Sequence, residues 1–161
     1  MKTAGLMIGS SGFSRTGRGR GLYLSRSLAR ETAFKVLFQV DLAGASPKDA
    51  LEYLTAETPL VDRYLAFARE LIDKTLEHVK SIDGLISKYS PEWSISRMAT
   101  VDRNILRMAV CEMLYTEIDP VVVINEAVEL AKKYGDENSS SFINAILDRI
   151  MGEKSEGFCR D

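Results

Sequence analysis

The sequence predicts an all-α fold of about seven helices, packed as two helical-bundle subdomains. Three observations carry that prediction. Apolar residues recur at steps of three or four through most of the chain. No segment shows the alternation of a half-buried strand, and the only β-branched run is Val121-Val122-Val123. The breaks fall at prolines and single glycines, which leaves short loops between helices. With 161 residues, 45% of them hydrophobic, the chain is long enough to bury a core without metals or disulfides.

Residues 1–24 read as a flexible basic arm. Residues 1–21 hold six of the eleven glycines and show no periodicity, so they bury too little apolar surface to fix a conformation. This stretch is either native or an added N-terminal segment. Helical order is expected from near Ser25, with Ala29, Ala33, Val36, Leu37 and Val40 on one stripe widened by Phe34 and Phe38, and a stop at Gly44. Ser46 caps a second helix with Pro47 at its first position and Asp49 in its first turn. Ala50, Leu51 and Leu54 are its buried side, and Pro59 ends it.

A long helical run then extends from about Asp62 to Tyr89, with Leu65, Ala68, Ile72, Leu76, Val79, Ile82, Ile86 and Tyr89 on its stripe. Gly84 either bends or breaks it. Pro91 and Trp93 lie in a connector, and the indole is expected to be buried where the two halves meet. Thr100 is expected to cap the next helix, with Ile105, Met108, Ala109, Met113 and Leu114 inward. After the break at Asp119-Pro120, Ile124, Ala127, Val128, Ala131 and Tyr134 mark another helix, closed by Gly135 in the C′ role. Asn138 or Ser139 caps the last helix, with Phe142, Ala145, Ile146 and Ile150 inward and Gly152 closing it. The helical domain is therefore placed at 25–152, with subdomains of about 25–90 and 91–152 and a disordered tail at 153–161.

The two cysteines, Cys111 and Cys159, form no metal-ligand spacing. Cys111 sits in an apolar run and reads as a buried free thiol, which fits the cytosol. No apolar stretch approaches the roughly 18 residues of a membrane span, and the N-terminus lacks the apolar core of a secretory signal. A soluble cytoplasmic protein with no membrane association is expected. The net charge of −2 is unevenly placed: Lys2, Arg15, Arg18, Arg20, Arg26 and Arg30 precede the first acidic residue. A basic arm on an acidic body is the footprint of nucleic-acid binding or of a solubilising tail.

Catalytic chemistry finds little support. The single histidine, His78, lies beside Glu77 and Lys80 and reads as a solvated surface residue. There is no strand to host a phosphate-binding glycine loop, and Ser139, Ser140 and Ser141 have no histidine nearby in sequence. Glu126 and Glu129 read as a solvated face, with Lys132 and Lys133 in reach of Glu129. No catalytic residue, metal ligand or cofactor is assigned. Binding is better supported: Arg26 and Arg30 are one turn apart on the first helix, and the arm brings Arg15, Arg18 and Arg20 to the same end. Guanidiniums clustered there suit phosphate contacts. With no base-reading helix-turn-helix, RNA is favoured over duplex DNA.

The segment VVINEAVELAKKYGDENSSSFINAILDRI resembles the C-terminal hallmark of the NusB transcription-antitermination family, with Asn125, Glu126, Gly135, Ser139, Phe142 and Asn144 in matching places. LARETAFKVLFQVDL is similar to the family's opening helix, including Arg30-Glu31 and Ala33, and VDRNILRMAVCEML to its central helix. The similarity runs from about residue 26 to 151. It implies a NusB-like seven-helix fold and binding of the boxA element of nascent ribosomal RNA leader transcripts, jointly with ribosomal protein S10 (NusE), in an antitermination complex on RNA polymerase. Family members occur as monomers or homodimers, and an apolar patch near Met98 or Val101 would serve either association.

Carried over by position, the resemblance implies RNA contacts at Arg26 and Arg30, with Arg18 and Arg20 on the arm, and at Tyr89, Asp102, Arg103, Asn138 and Phe142. Phe142 either stacks on an unpaired base or serves as a core aromatic at a helix start. The chain departs from the family pattern in two places. Ser27, Leu28 and Ala29 separate Arg30 from the outer arginines, and Asn138 stands where an acidic residue is common. Two other readings are a helical scaffold that binds only protein and the RNA-binding domain related to that of ribosomal RNA cytosine methyltransferases. The ten residues after Met151 leave no room for the catalytic domain of the latter.

Overall fold

The computed structural model describes the backbone of residues 18–158 and the side chains of residues 26–154. Among them are seven α-helices and no strand: α1 Arg18–Ala43, α2 Pro47–Glu57, α3 Asp62–Glu77, α4 Val79–Tyr89, α5 Thr100–Tyr115, α6 Pro120–Tyr134 and α7 Ser139–Phe158. A 3₁₀ turn, Ile95–Arg97, leads into α5. The all-α expectation holds.

The central element is α5, which packs against α1, α3, α4, α6 and α7. Its sequence explains this position: Ile105, Leu106 and the run Met108 to Met113 are buried, and a helix that is apolar nearly all round belongs inside. On α1, the expected stripe of Ala29, Ala33, Val36 and Leu37 is buried together with Phe34. Ile82 and Ile86 on α4 and Ile124, Ala127 and Ala131 on α6 complete the core as expected. Cys111 is a buried free thiol, and burial pushes its pKa up. Cys159 lies outside the described residues. No helix among the described residues is long and apolar enough to cross a membrane.

Several boundaries differ from the sequence reading. The first helix begins at Arg18, before Ser25, because extending an anchored helix needs no new nucleus and adds a hydrogen bond per residue. The long run breaks at His78, and Gly84 sits inside α4. The His78 ring is only partly exposed, stacked on Tyr115 with centroids 4.1 Å apart. Ser46 caps α2 as expected, accepting from the Asp49 N–H. Thr100 does not cap α5; Ala99 holds the cap position without a side-chain bond. Asp119 caps α6 through the Val121 N–H, so the β-branched run is helical.

Gly135 is a C-cap residue with φ −88° and is not left-handed. A Cβ there would meet the Ser139 side chain and lie 2.8 Å from the Ala131 carbonyl oxygen, so glycine is required for close approach. In α7 the inward residues are Ile143, Ile146, Leu147 and Ile150, while Ala145 is exposed. Leu114, expected inward on α5, is 39% exposed. Gly152 does not end α7: Glu153 pairs with Lys88 at 2.6 Å and Lys154 donates to the Met113 carbonyl at 2.6 Å, which anchors the helix beyond it. Residues 159–161 of the expected tail lie outside the described residues.

Candidate nucleic-acid interface

The two arginines at the start of α1 have different environments. Arg26 is exposed, with its guanidinium 5.5 Å from the Phe67 ring centroid on α3. Arg30 lies 5.4 Å from the same ring but is 2% exposed. Its Nε donates to both oxygens of Glu112 at 2.8 and 3.0 Å, and Nη2 donates to Glu112 as well. Glu126, read from sequence as solvated, lies 4.0 Å from the Arg30 guanidinium and accepts from Ser27 Oγ at 2.8 Å. Arg30 is therefore not a solvent-facing phosphate contact. A buried guanidinium must be paired, and this one locks α1 to α5. Lys133, offered to Glu129 by sequence, pairs with Glu31 at 2.6 Å instead.

Arg103 lies toward the opposite end of α1. Arg103 donates through Nε to Asp41 at 2.8 Å and through Nη1 to the carbonyls of Ile95 and Met98 at 3.1 and 3.4 Å. It too is committed internally, and what it holds is the 3₁₀ turn. Between positions 30 and 41 the helix rises about 16 Å, which separates Arg103 from Arg30. Arg15, Arg18 and Arg20 fall outside the described side chains.

Asp102, Asn138 and Phe142 line a groove of about 350 Å³ together with Trp93, Arg97 and Asp136. A smaller compartment of about 180 Å³ continues past Trp93 and Phe142 to Tyr89 and Arg149. Trp93 is 54% exposed, a correction to the buried indole expected. Its backbone N–H bonds to Ser90 in the turn, so the ring forms a wall of the groove. Met98, expected in an exposed patch, is buried at 7%, and Val101 is half-buried.

Asn138 and Phe142 are set by the α6–α7 turn. Asp136 Oδ1 accepts the Asn138 N–H at 2.8 Å, and Ser139 Oγ accepts the Asp136 N–H at 3.0 Å. That leaves the Asn138 side chain exposed and Phe142 half-buried. Asp102, in the first turn of α5, is 8% exposed, yet its Oδ1 has no hydrogen-bond partner among the described residues. Burial pushes its carboxyl pKa up, the Ser139 hydroxyl opposes that, and the charge of Asp136 adds to the rise. Tyr89 donates its hydroxyl to Glu153, and its carbonyl accepts from Arg149 at 3.1 Å.

The structure thus brings Tyr89, Asp102, Asn138 and Phe142 together, keeps Arg26 apart, buries Arg30 and engages the half-buried Arg103 in internal bonds. Sequence reasoning missed Trp93 and Arg97 as groove residues and Glu112 as the partner of Arg30. Glu112 was detectable, because it continues the buried stripe through Ile105 and Met108 at helical spacing. Trp93 and Arg97 carried no periodic signal, since they lie in a connector.

The NusB family model matches residues 27–152. The transcription antitermination protein NusB of Syntrophomonas wolfei subsp. wolfei is 53% identical over 82% of this chain and 99% of its own length. That of Desulforamulus reducens is 46% identical over 83% of this chain and 94% of its own. Among solved structures, T. maritima NusB superposes with a TM-score of 0.74 at 42% identity, covering 80% of this chain and 91% of that one. A crystal structure of antitermination factors NusB and NusE in complex with dsRNA gives 0.72 at 34% identity, covering 78% and 95%.

Proposed function

The chain belongs to the NusB family of transcription antitermination proteins, and on that premise we propose that it binds boxA RNA of ribosomal RNA leader transcripts together with ribosomal protein S10. It does so in the bacterial cytoplasm, as part of an antitermination complex on RNA polymerase, and as a binding protein with no reaction of its own.

The observation that carries the RNA reading is the aromatic groove. Trp93, Phe142, Asp102 and Asn138 line one concavity. An exposed indole and a half-buried phenyl ring beside polar groups suit unpaired bases, which stack on rings and hydrogen-bond along their edges. The exposed Arg26 and the outer arginines supply the sequence-independent attraction to phosphate. Arg30 and Arg103 contribute as positioning residues. A relative of the chain has been crystallised with NusE and dsRNA, which supports the same pairing here.

Binding of labelled boxA RNA to the full chain, with and without S10, tests the reading. S10 is expected to tighten binding, and salt is expected to weaken it steeply. Equal affinity for boxA and a scrambled RNA, unaffected by S10, would overturn it.

A further inference from the structure

Asp41 stands where the local rules of a helix disfavour it. It lies in the last turn of α1, where the negative end of the helix dipole repels a carboxylate. What offsets that repulsion is tertiary. Asp41 Oδ2 accepts from Arg103 Nε at 2.8 Å and from Asn104 Nδ2 at 2.9 Å, and Arg103 Nη2 lies 2.7 Å from it. Arg107 Nη1 is 3.5 Å from the same oxygen. Arg107 is itself held in a two-pronged pair with Asp83 of α4, at 2.7 and 2.8 Å. One carboxylate oxygen thus gathers three side chains of α5. A residue that breaks a local preference for the sake of distant partners marks a position the tertiary structure needs.

The partner that reaches the groove is Arg103. Its guanidinium is planar, so seating the Nε–Nη2 edge on Asp41 also fixes where Nη1 points. Nη1 donates to the carbonyls of Ile95 and Met98 at 3.1 and 3.4 Å, which bracket the 3₁₀ turn. The connector's own bonds are short-range: the Trp93 N–H bonds to the Ser90 carbonyl and the Arg97 N–H to that of Ser94. Trp93 and Arg97, which both line the groove, ride on this connector.

We infer that Asp41 is a positioning residue for RNA binding: from outside the groove lining, its carboxylate seats the Arg103 guanidinium, which holds the connector of Trp93 and Arg97 in its binding shape. The inference rests on the RNA-binding reading and adds to it a residue that acts at one remove from RNA. A wall already fixed in place loses less freedom when RNA arrives, so affinity is gained without a new contact. Through Arg107 and Asp83 the same carboxylate braces the wall against α4 as well as α1 and α5.

Trp93 is the sole tryptophan of the chain, so its emission reports on the connector alone. Asp41→Asn is expected to enlarge the fast component of the Trp93 fluorescence anisotropy decay, which reads picosecond-to-nanosecond motion. It is also expected to weaken binding of labelled boxA RNA about fivefold. The slope of log K on log salt should stay as it is, because no phosphate contact is removed. Arg103→Met is expected to produce the same two changes, and Asp41→Asn to add nothing on top of it, since one acts through the other. The control is Ile72→Val, in the core of α3, which lines no part of the groove. It costs a comparable amount of stability and should move neither the anisotropy decay nor the affinity. Unchanged Trp93 motion or unchanged affinity in Asp41→Asn overturns the inference. So do equal losses in Ile72→Val, or additive losses when Asp41→Asn and Arg103→Met are combined. If the parent chain does not bind boxA RNA, the RNA-binding reading itself fails, and this one with it.

Discussion

Arg30 of α1 and Glu112 of α5 face each other inside the protein, with Arg30 Nε donating to both carboxylate oxygens at 2.8 and 3.0 Å. Both side chains are almost completely buried. Removing either partner strands the other charge in a low-dielectric interior, which costs about 3–5 kcal/mol. Arg30→Met and Glu112→Met alone are each expected to lose that much in urea unfolding, while the double substitution recovers most of it. A single variant that loses less than about 1 kcal/mol would show that the pair is not the lock between α1 and α5.

Arg26 should behave differently, since it is exposed, with its guanidinium over the face of Phe67. Arg26→Ala is expected to change stability by less than about 0.5 kcal/mol. In RNA titrations against salt it should lower the slope of log K on log salt by about one unit. An unchanged slope would remove Arg26 from the phosphate contacts.

Gly135→Ala places a Cβ against the Ser139 side chain and 2.8 Å from the Ala131 carbonyl oxygen. Both neighbours are fixed by helix ends, so the turn has to open. A loss of about 1–3 kcal/mol is expected from overpacking, visible as a drop in Tm. Pairing it with Ser139→Gly should restore part of that drop, whereas identical losses with and without Ser139 would point away from the clash.

Asp102→Asn is expected to raise stability at neutral pH by about 1–2 kcal/mol, because it removes a buried, incompletely paired charge. Its pKa in the fold is raised above the ordinary 3.8, chiefly by burial. The fold therefore binds the proton more tightly than the unfolded chain does. The destabilisation is absent below the ordinary value and complete above the folded one, so the advantage of the variant should vanish in acid. A variant less stable than the parent at neutral pH would contradict this account.

Asp41 has the opposite sign. Burial alone would raise its pKa, but the hydrogen bonds from Asn104 and Arg103 outweigh that and hold it below 3.8. Its contribution is present above the ordinary value and lost as pH falls through the lower folded one. Asp41→Asn should cost about 1–2 kcal/mol at neutral pH, allowing for partial exposure. The gap to the parent should close toward about pH 2. A gap that persists unchanged there would mean that packing, and not charge, is what Asp41 provides.

Much of the fold was legible because helical periodicity is a local signal. The stripe from Ala29 to Leu37, the Ser46-Pro47 start and the Asp119-Pro120 break each depend on residues within one or two turns. The failures were local rules overruled by distant neighbours. His78 breaks the α3–α4 run while stacked on Tyr115, and α7 passes through Gly152 with Glu153 and Lys154 tied to other helices. The inward face of α7 differs from the one expected because Ile143 and Leu147, not Ala145, meet the core.

The sequence by itself determined the all-α class, the order of the helices and the family, since apolar spacing, capping residues and the match over residues 27–152 are all written along the chain. Only the tertiary structure decided which charges are available. Arg26 and Arg30 are equivalent on a helical stripe, yet Glu112, 82 positions away, turns one into an internal lock while the other stays in water. Trp93, Asp102 and Phe142 form a groove for the same reason. Whether a polar group is paired depends on what the fold sets beside it, and that is not encoded in the residues next to it in sequence.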